Sequence, residues 1–289
     1  EEFLQGRPSP IRNPELQENL RLMHKLSQLL ERKRGGRGAI QFSFAEEAIA
    51  LDEENRMTGV SRREQNSAMR LIEQFMLEAN ETVARHCVHH KLPALYRVHE
   101  QPNPVKLKKL QRVFWHFGVT TPMARLQKPS AFNEVFEQIR ALPVKEQLQV
   151  LLLRCMALAV YRTENLGHFG LAAEFYAHFT SPIRRYPDLC VHRALKHWLT
   201  QQRFQGLDRK ARKRLQTPIP EVLPELAEHC SQQERKAEKA ELQSIDLLKV
   251  SFLERFIGEG FIATIRAVSN ARLKVLLDPH ELEWFLLLE

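Results

Sequence analysis

A run of helical periodicity from Asn66 to His90 constrains the fold more than any other stretch of the chain. Leu71, Phe75, Ala79, Val83 and Cys87 recur at four-residue spacing, and Leu77 joins them on the buried side. A helix this long buries its stripe only where other elements offer a matching face, so a layered core is required. Further helical patterns supply it. Asn13-Pro14 reads as an N-cap followed by a first-turn proline, and Leu16, Leu20, Met23, Leu26, Leu29 and Leu30 continue as an apolar stripe. That run ends in Glu31-Arg32-Lys33-Arg34-Gly35-Gly36-Arg37-Gly38. Cations followed by glycine suit a helix stop, and the same cations could touch nucleic-acid phosphate.

Helices are also expected over Val105–Phe117, Ser130–Arg140, Val144–Tyr161, Asp188–Gln202 and Glu225–Glu254. Lys106, Lys108, Lys109 and Arg112 read as a solvated face of the first of these. The stretch Val144–Tyr161 is nearly continuously apolar, which predicts the central core helix. Leu207 to Pro224 is a basic, proline-bearing connector. Short strands punctuate the helices. Ile40, Phe42 and Phe44 alternate with Gln41 and Ser43, and Ala48–Leu51 is expected to pair with them. Asp52 to Asn55 turns into a third strand, Met57–Val60. Pro93–His99 is another strand, with Tyr96 and Val98 on one face and Leu95, Arg97 and His99 on the other. After Gly258 the pattern changes to strands at Phe261–Ile265, Leu273–Leu277 and Glu283–Leu288. Long helices with short antiparallel strands predict an α+β fold.

At 289 residues the chain can form one large domain, or a domain with an appendage. Hydrophobic residues at 43% and charged residues at 27% allow an ordinary core and exclude a disordered chain. The formal net charge of +8 favours an anionic partner, nucleic acid ahead of a membrane surface. Cys87, Cys155, Cys190 and Cys230 are widely separated, so neither a zinc knuckle nor a disulfide framework is expected. The first three sit in apolar contexts and read as core thiols. No signal peptide or bilayer-spanning run is visible. The chain opens on Glu-Glu-Phe-Leu without a methionine, which suggests a fragment.

The chemistry is concentrated in His178-Phe179-Thr180-Ser181-Pro182-Ile183-Arg184-Arg185-Tyr186-Pro187-Asp188, continued by Val191-His192-Arg193. Arginine suits phosphate because its planar fork donates two parallel hydrogen bonds and its charge does not titrate away. A neighbouring aromatic can stack on a base. A serine before proline marks a turn into a helix. By residue type alone, the stretch reads equally well as a basic helix N-terminus with solvated charge.

This stretch resembles the signature of the RNase II/RNase R (RNB) family of processive 3′-to-5′ exoribonucleases, and its RNase R branch in particular. Four ordered blocks carry the resemblance. Gly167-His168-Phe169-Gly170-Leu171 leads into Tyr176-Ala177-His178 and the turn; Arg70-Leu71-Ile72-Glu73-Gln74-Phe75-Met76-Leu77-Glu78-Ala79-Asn80 resembles a family helix. Pro93-Ala94-Leu95-Tyr96-Arg97-Val98-His99 and Glu228-His229-Cys230-Ser231 with Glu234-Arg235 are similar to two further elements.

The resemblance implies the C-terminal part of an RNB catalytic domain, helices packed around an antiparallel sheet, followed by the start of an OB-fold barrel. Residues 1–36 would be an N-terminal helical segment, 37–256 the catalytic part, and 257–289 a partial OB-fold too short to be complete. The implied activity is processive 3′-to-5′ hydrolysis of single-stranded RNA to nucleoside 5′-monophosphates, assisted by magnesium. Arg184 matches the arginine on the scissile phosphate. Glu73 would contact a ribose 2′-hydroxyl, with a salt bridge to Arg70 or another helix as the structural reading. Phe42, Tyr96, His99, His168, His178, Arg185 and Tyr186 would contact RNA. For His168 and His178 a structural role at the turn is equally open, and Phe42 could instead face the core. Glu234 and Glu238 lie near a late family glutamate, with a local match that departs from the pattern. A monomer in the cytoplasm, with single-stranded RNA as partner and no membrane, completes the expectation.

One family feature is missing. Magnesium needs clustered carboxylates. The aspartates of this chain, Asp52, Asp188, Asp208, Asp246 and Asp278, are isolated from one another. The metal ligands are therefore expected from an upstream segment or another chain. The alternative is an RNA-binding pseudoenzyme that keeps the channel and cannot cut.

Overall fold

The structure is a computed structural model and describes residues 12–41, 46–63, 65–203, 220–268, 272–278 and 282–287. Its contacts divide the chain into two compact units, residues 1–42 with 66–233 and residues 43–65 with 234–289.

The first unit is helical. Helix α1 (Pro14–Arg37) starts where Asn13 Oδ1 accepts the backbone N–H groups of Glu15 (2.9 Å) and Leu16 (3.3 Å). Helix α2 (Ser67–His89) starts at Asn66, whose side chain accepts Met69 N–H at 2.8 Å. Helix α3 (Pro104–His116) starts at Asn103 in the same way. Each asparagine satisfies backbone donors that the first helical turn leaves unpaired. Helix α1 continues through Gly35 and Gly36 and stops at Gly38, which adopts φ 91° and returns its N–H to the last carbonyls. A Cβ there would lie 2.8 Å from Ser130 Cβ, so the turn also needs glycine's lack of bulk.

Helices α1 and α2 pack along a ladder of charge. Arg37 holds Glu81 through two hydrogen bonds of 2.7 and 2.8 Å, Lys33 reaches Glu78, and Arg34 donates to Gln74. Lys33, Arg34 and Arg37 at the end of α1 are thus engaged with α2. Helices α4 (Pro129–Ile139) and α5 (Lys145–Leu153) join α3 around the largest core, which includes Phe114, Met123, Phe132, Ile139, Leu152 and Phe169.

The apolar run expected as one helix over Val144–Tyr161 is two elements. Helix α5 ends at Leu153, the chain turns through Arg154, Cys155 and Met156, and Val160–Arg162 forms a strand. Strand β3 (Tyr96–Val98) pairs with it, as β4, in antiparallel register: Tyr96 opposite Arg162 and Val98 opposite Val160. A continuously apolar stretch has no period to separate helix from buried strand, and β3's unpaired edge decides the outcome. Tyr96 and Val98 share a buried face with Ala84 and Cys87, as their alternation predicted. Helix α6 (Tyr186–Arg203) packs Val191 into that core and Cys190 into a neighbouring one with Leu95 and Tyr161. Cys87, Cys155 and Cys190 are buried free thiols.

The second unit is built on hairpins. Strand β1 (Glu46–Leu51) pairs with β2 (Met57–Arg63) across a turn at Asp52 to Asn55, where Asn55 takes φ 59°. The strand expected at Ile40 to Phe44 falls mostly outside the described residues; Ile40 itself lies outside any strand and bonds to the Gly170 carbonyl. The basic connector is likewise almost wholly outside them. Strands β5 (Ile262–Val268), β6 (Arg272–Asp278) and β7 (Leu282–Leu287) form an antiparallel meander in that order. Met57, Phe252 and Leu282 make the core of this unit. Helix α7 (Leu223–Leu253) gives its first turns to one unit and the rest to the other. Among the described residues no helix is long and apolar enough to cross a membrane.

Candidate nucleic-acid interface at the Ser181–Asp188 turn

The turn before α6 is held from behind. Asp188, fully buried, accepts Ser181 N–H at 2.7 Å and Arg185 Nη2 at 2.8 Å on one oxygen. The Ser181 carbonyl accepts the N–H groups of Arg184 and Arg185, and His192 Nε2–H donates to the Phe179 carbonyl at 2.8 Å. The Phe179 and His192 rings stack at 4.0 Å, 11° from parallel. Helix α2 adds a second anchor. Asn80, 3% exposed, accepts Phe179 N–H at 3.0 Å and donates to the Tyr176 hydroxyl at 3.2 Å. With so many partners inward, the tip projects outward: Ile183 is fully exposed, and Arg184 and Tyr186 are exposed beside it. Arg193 Nη1 donates to Tyr186 Oη at 3.3 Å and its guanidinium lies over that ring.

Behind the turn lies a file of rings. His99 meets His168 at 4.9 Å, His168 meets Tyr176 at 5.1 Å, Tyr176 meets His178 at 5.8 Å, and His178 meets Tyr161 at 5.6 Å. The Arg97 guanidinium caps the file, 4.7 Å from the Tyr161 ring centre. Their surroundings disfavour the charged form of each histidine. Burial pushes His168 down to about 3, helped by the neighbouring His99 and Arg97. Burial likewise pushes His178 down to about 3, reinforced by Arg185 and Arg97. Burial lowers His99 too; its Nδ1 accepts Gly170 N–H at 3.0 Å, so the proton sits on the other nitrogen. A Cβ on Gly170 would press to 3.0 Å from that same atom. His178 Nδ1 and Tyr161 Oη are 2.8 Å apart.

The residues expected from sequence divide accordingly. Arg184 and Tyr186 are presented to solvent. His168 and His178 stand together behind them as hydrogen-bonding rings, with His99 alongside. Arg185 points inward to Asp188 and is not presented with Arg184. Tyr96 is 5% exposed and belongs to the core. Glu73 is half-buried on α2 beside Arg34, whose positive charge it favours. Phe42 lies outside the described residues. Glu234 is half-buried and Glu238 exposed on α7. Asn80, Tyr161, Tyr176 and Asp188 carry more of the geometry than the sequence alone assigned them. A clue was present for Asn80: a polar residue on the apolar side of a long helix must have a partner.

Among the described residues no three His, Cys, Asp or Glu side chains gather to hold a metal ion. Asp52 is used by Arg56, and Asp188 by Ser181 and Arg185. The described residues therefore do not fit a magnesium site, and what they offer is an exposed guanidinium in front of hydrogen-bonding rings and amides.

The RNB domain model matches residues 1–201. Ribonuclease R of Aquifex aeolicus is 42% identical over 255 residues, covering 88% of this chain and 35% of that protein. Ribonuclease R of Escherichia coli is 36% identical over 263 residues, covering 91% of this chain and 32% of that protein. Among solved structures, Mycoplasma genitalium RNase R in complex with ribose methylated single-stranded RNA superposes with a TM-score of 0.85 at 30% identity. The match covers 98% of this chain and 43% of that one. The chain thus spans about a third of the length of the curated relatives it matches.

Proposed function

The chain belongs to the RNB domain family, and we propose from that premise that its protein is a 3′-to-5′ exoribonuclease acting on single-stranded RNA. The observation that carries the reading is Arg184, an exposed guanidinium at the tip of a turn that Asp188 and Asn80 hold from behind. In this reading Arg184 grips the reacting phosphate and stabilises charge that develops there. Tyr186 and Arg193 offer a ring and a cation to the adjoining nucleotide. His168 and His178 stay neutral and shape the wall behind the phosphate, and Glu73 checks for the ribose 2′-hydroxyl. Processive release of nucleoside 5′-monophosphates with magnesium belongs to the same proposal. Among the described residues no three such side chains gather, so in this reading the metal's carboxylates would come from an upstream segment or another chain.

The β5–β7 meander supports the start of an OB-fold over residues 257–289, after a catalytic part over 37–256 and a helical segment over 1–36. A monomer working in the cytoplasm completes the reading.

The test is digestion of a 5′-labelled single-stranded oligoribonucleotide by the full-length protein, with magnesium and with EDTA. A magnesium-dependent ladder shortening from the 3′ end is expected. Intact RNA that shifts on a native gel would replace the reading with an RNA-binding pseudoenzyme.

A further inference from the structure

Arg184 and Arg185 are adjacent in sequence and opposite in circumstance. Arg184 is exposed, and the structure gives its side chain no hydrogen-bond or ion-pair partner among the described residues. The Arg185 side chain is 18% exposed and donates Nη2 to Asp188, whose own side chain is wholly buried. The same Asp188 oxygen takes Ser181 N–H, and the Ser181 carbonyl takes the N–H groups of both arginines. One carboxylate therefore ties the first residue of the turn to the side chain of its last.

The tie is kept in spite of two unsatisfied atoms. Asp188 Oδ2 and Arg185 Nε are both buried without a hydrogen-bond partner. Buried polar groups left unpaired cost stability, and they persist where the surrounding structure fixes them for another reason. A pair optimised for stability alone would close the second bond, Nε–H to Oδ2, in the usual two-pronged form.

We propose that Asp188 is a positioning residue: by holding Arg185 inward and pinning Ser181, it leaves Arg184 as the one arginine of the pair that can reach a phosphate, and fixes where that arginine points. The proposal rests on the exonuclease reading for its catalytic consequence, but not for the lock itself. Without Asp188 the turn would present two competing guanidinium groups at no fixed height, and phosphate would be bound without being aligned. Misplacing a charge-stabilising group by about an ångström costs on the order of a hundredfold in rate.

Two measurements on the full chain separate the parts. The first is chemical modification of arginine by phenylglyoxal, read by peptide mass mapping, which needs no activity. Arg184 is expected to react and to be shielded by bound oligoribonucleotide, while Arg185 stays unmodified; in Asp188→Asn, Arg185 becomes reactive as well. Equal labelling of both arginines in the unsubstituted protein would overturn the lock. The second is turnover of RNA and of its phosphorothioate analogue by Asp188→Asn, Arg185→Gln and the double variant, with thermal unfolding as the control. Each single variant is expected to lose about thirtyfold or more in rate and to change the phosphate-to-phosphorothioate rate ratio. That ratio does not depend on how much of a preparation is folded. RNA affinity should stay within about threefold, and the double variant should lose no more than the worse single one. Additive losses, or an unchanged ratio, would overturn the positioning role. A protein that cuts no RNA in any form removes the exonuclease reading, and the labelling pattern still decides the lock.

Discussion

At the scale of single residues, the site separates charge from hydrogen bonding. Arg184 supplies the charge, and its replacement by alanine is expected to lower RNA turnover by about a hundredfold or more while binding of a long oligonucleotide changes little. Single-turnover rates beside a filter-binding isotherm distinguish that outcome from a uniform loss of affinity. The buried histidines supply hydrogen bonds, and their neutrality couples stability to pH. His168 and His178 titrate near 3 when folded and near 6.5 when unfolded. Below pH 6.5 the unfolded chain takes up protons that the folded one refuses, so stability falls as acidity rises from 6.5 toward 3. Above 6.5 these groups add no slope. Urea unfolding at pH 7.5, 6 and 5 should show midpoints dropping in that order, and His178→Asn should flatten the drop.

At the scale of elements, Gly38 and Asn80 give two predictions. Gly38→Ala forces a side chain into positive φ and against Ser130, and should cost about 1–3 kcal/mol by urea unfolding. Asn80→Ala removes the acceptor for Phe179 N–H and the donor to Tyr176, and should cost a similar ~1–3 kcal/mol while loosening the turn. Most elements were legible beforehand because their signals are local. Asn13, Asn66 and Asn103 cap the helices that follow, and β1, β2 and β5–β7 lie where alternation put them. The break in Val144–Tyr161 was not legible, because strand pairing with β3 is a long-range event with no local mark. The same reason hid the inward turn of Arg185. Sequence lists two arginines side by side, and only Asp188's position says which one is spent. Arg184, Tyr186 and the histidine pair were legible through a motif, which carries spatial information that composition lacks.

At the scale of the molecule, a net charge of +8 coexists with local neutralisation. Lys33 and Arg37 at the end of α1 are paired with Glu78 and Glu81 on α2, and the charge of Arg34 is favoured by Glu73 and Glu81. In the proposed reading, attraction for RNA comes from cations without such partners, Arg184 and the exposed face of α6 among them. Affinity for single-stranded RNA should fall with salt at a log–log slope of about −0.7 per phosphate neutralised, and Arg184→Ala should make the slope shallower by roughly that amount. A salt-independent isotherm would remove RNA as the partner.

Helix α2 carries Glu73 in its first half and Asn80, which anchors the turn before α6, two helical turns later. Seven residues at 1.5 Å each set these points about 10 Å apart along one face. In the proposed reading the helix is a ruler, with the sugar read at one mark and the phosphate at the other. An added residue between the marks would swing Asn80 round by about 100° and lengthen the scale by about 1.5 Å, so an insertion in this interval would break the register between them.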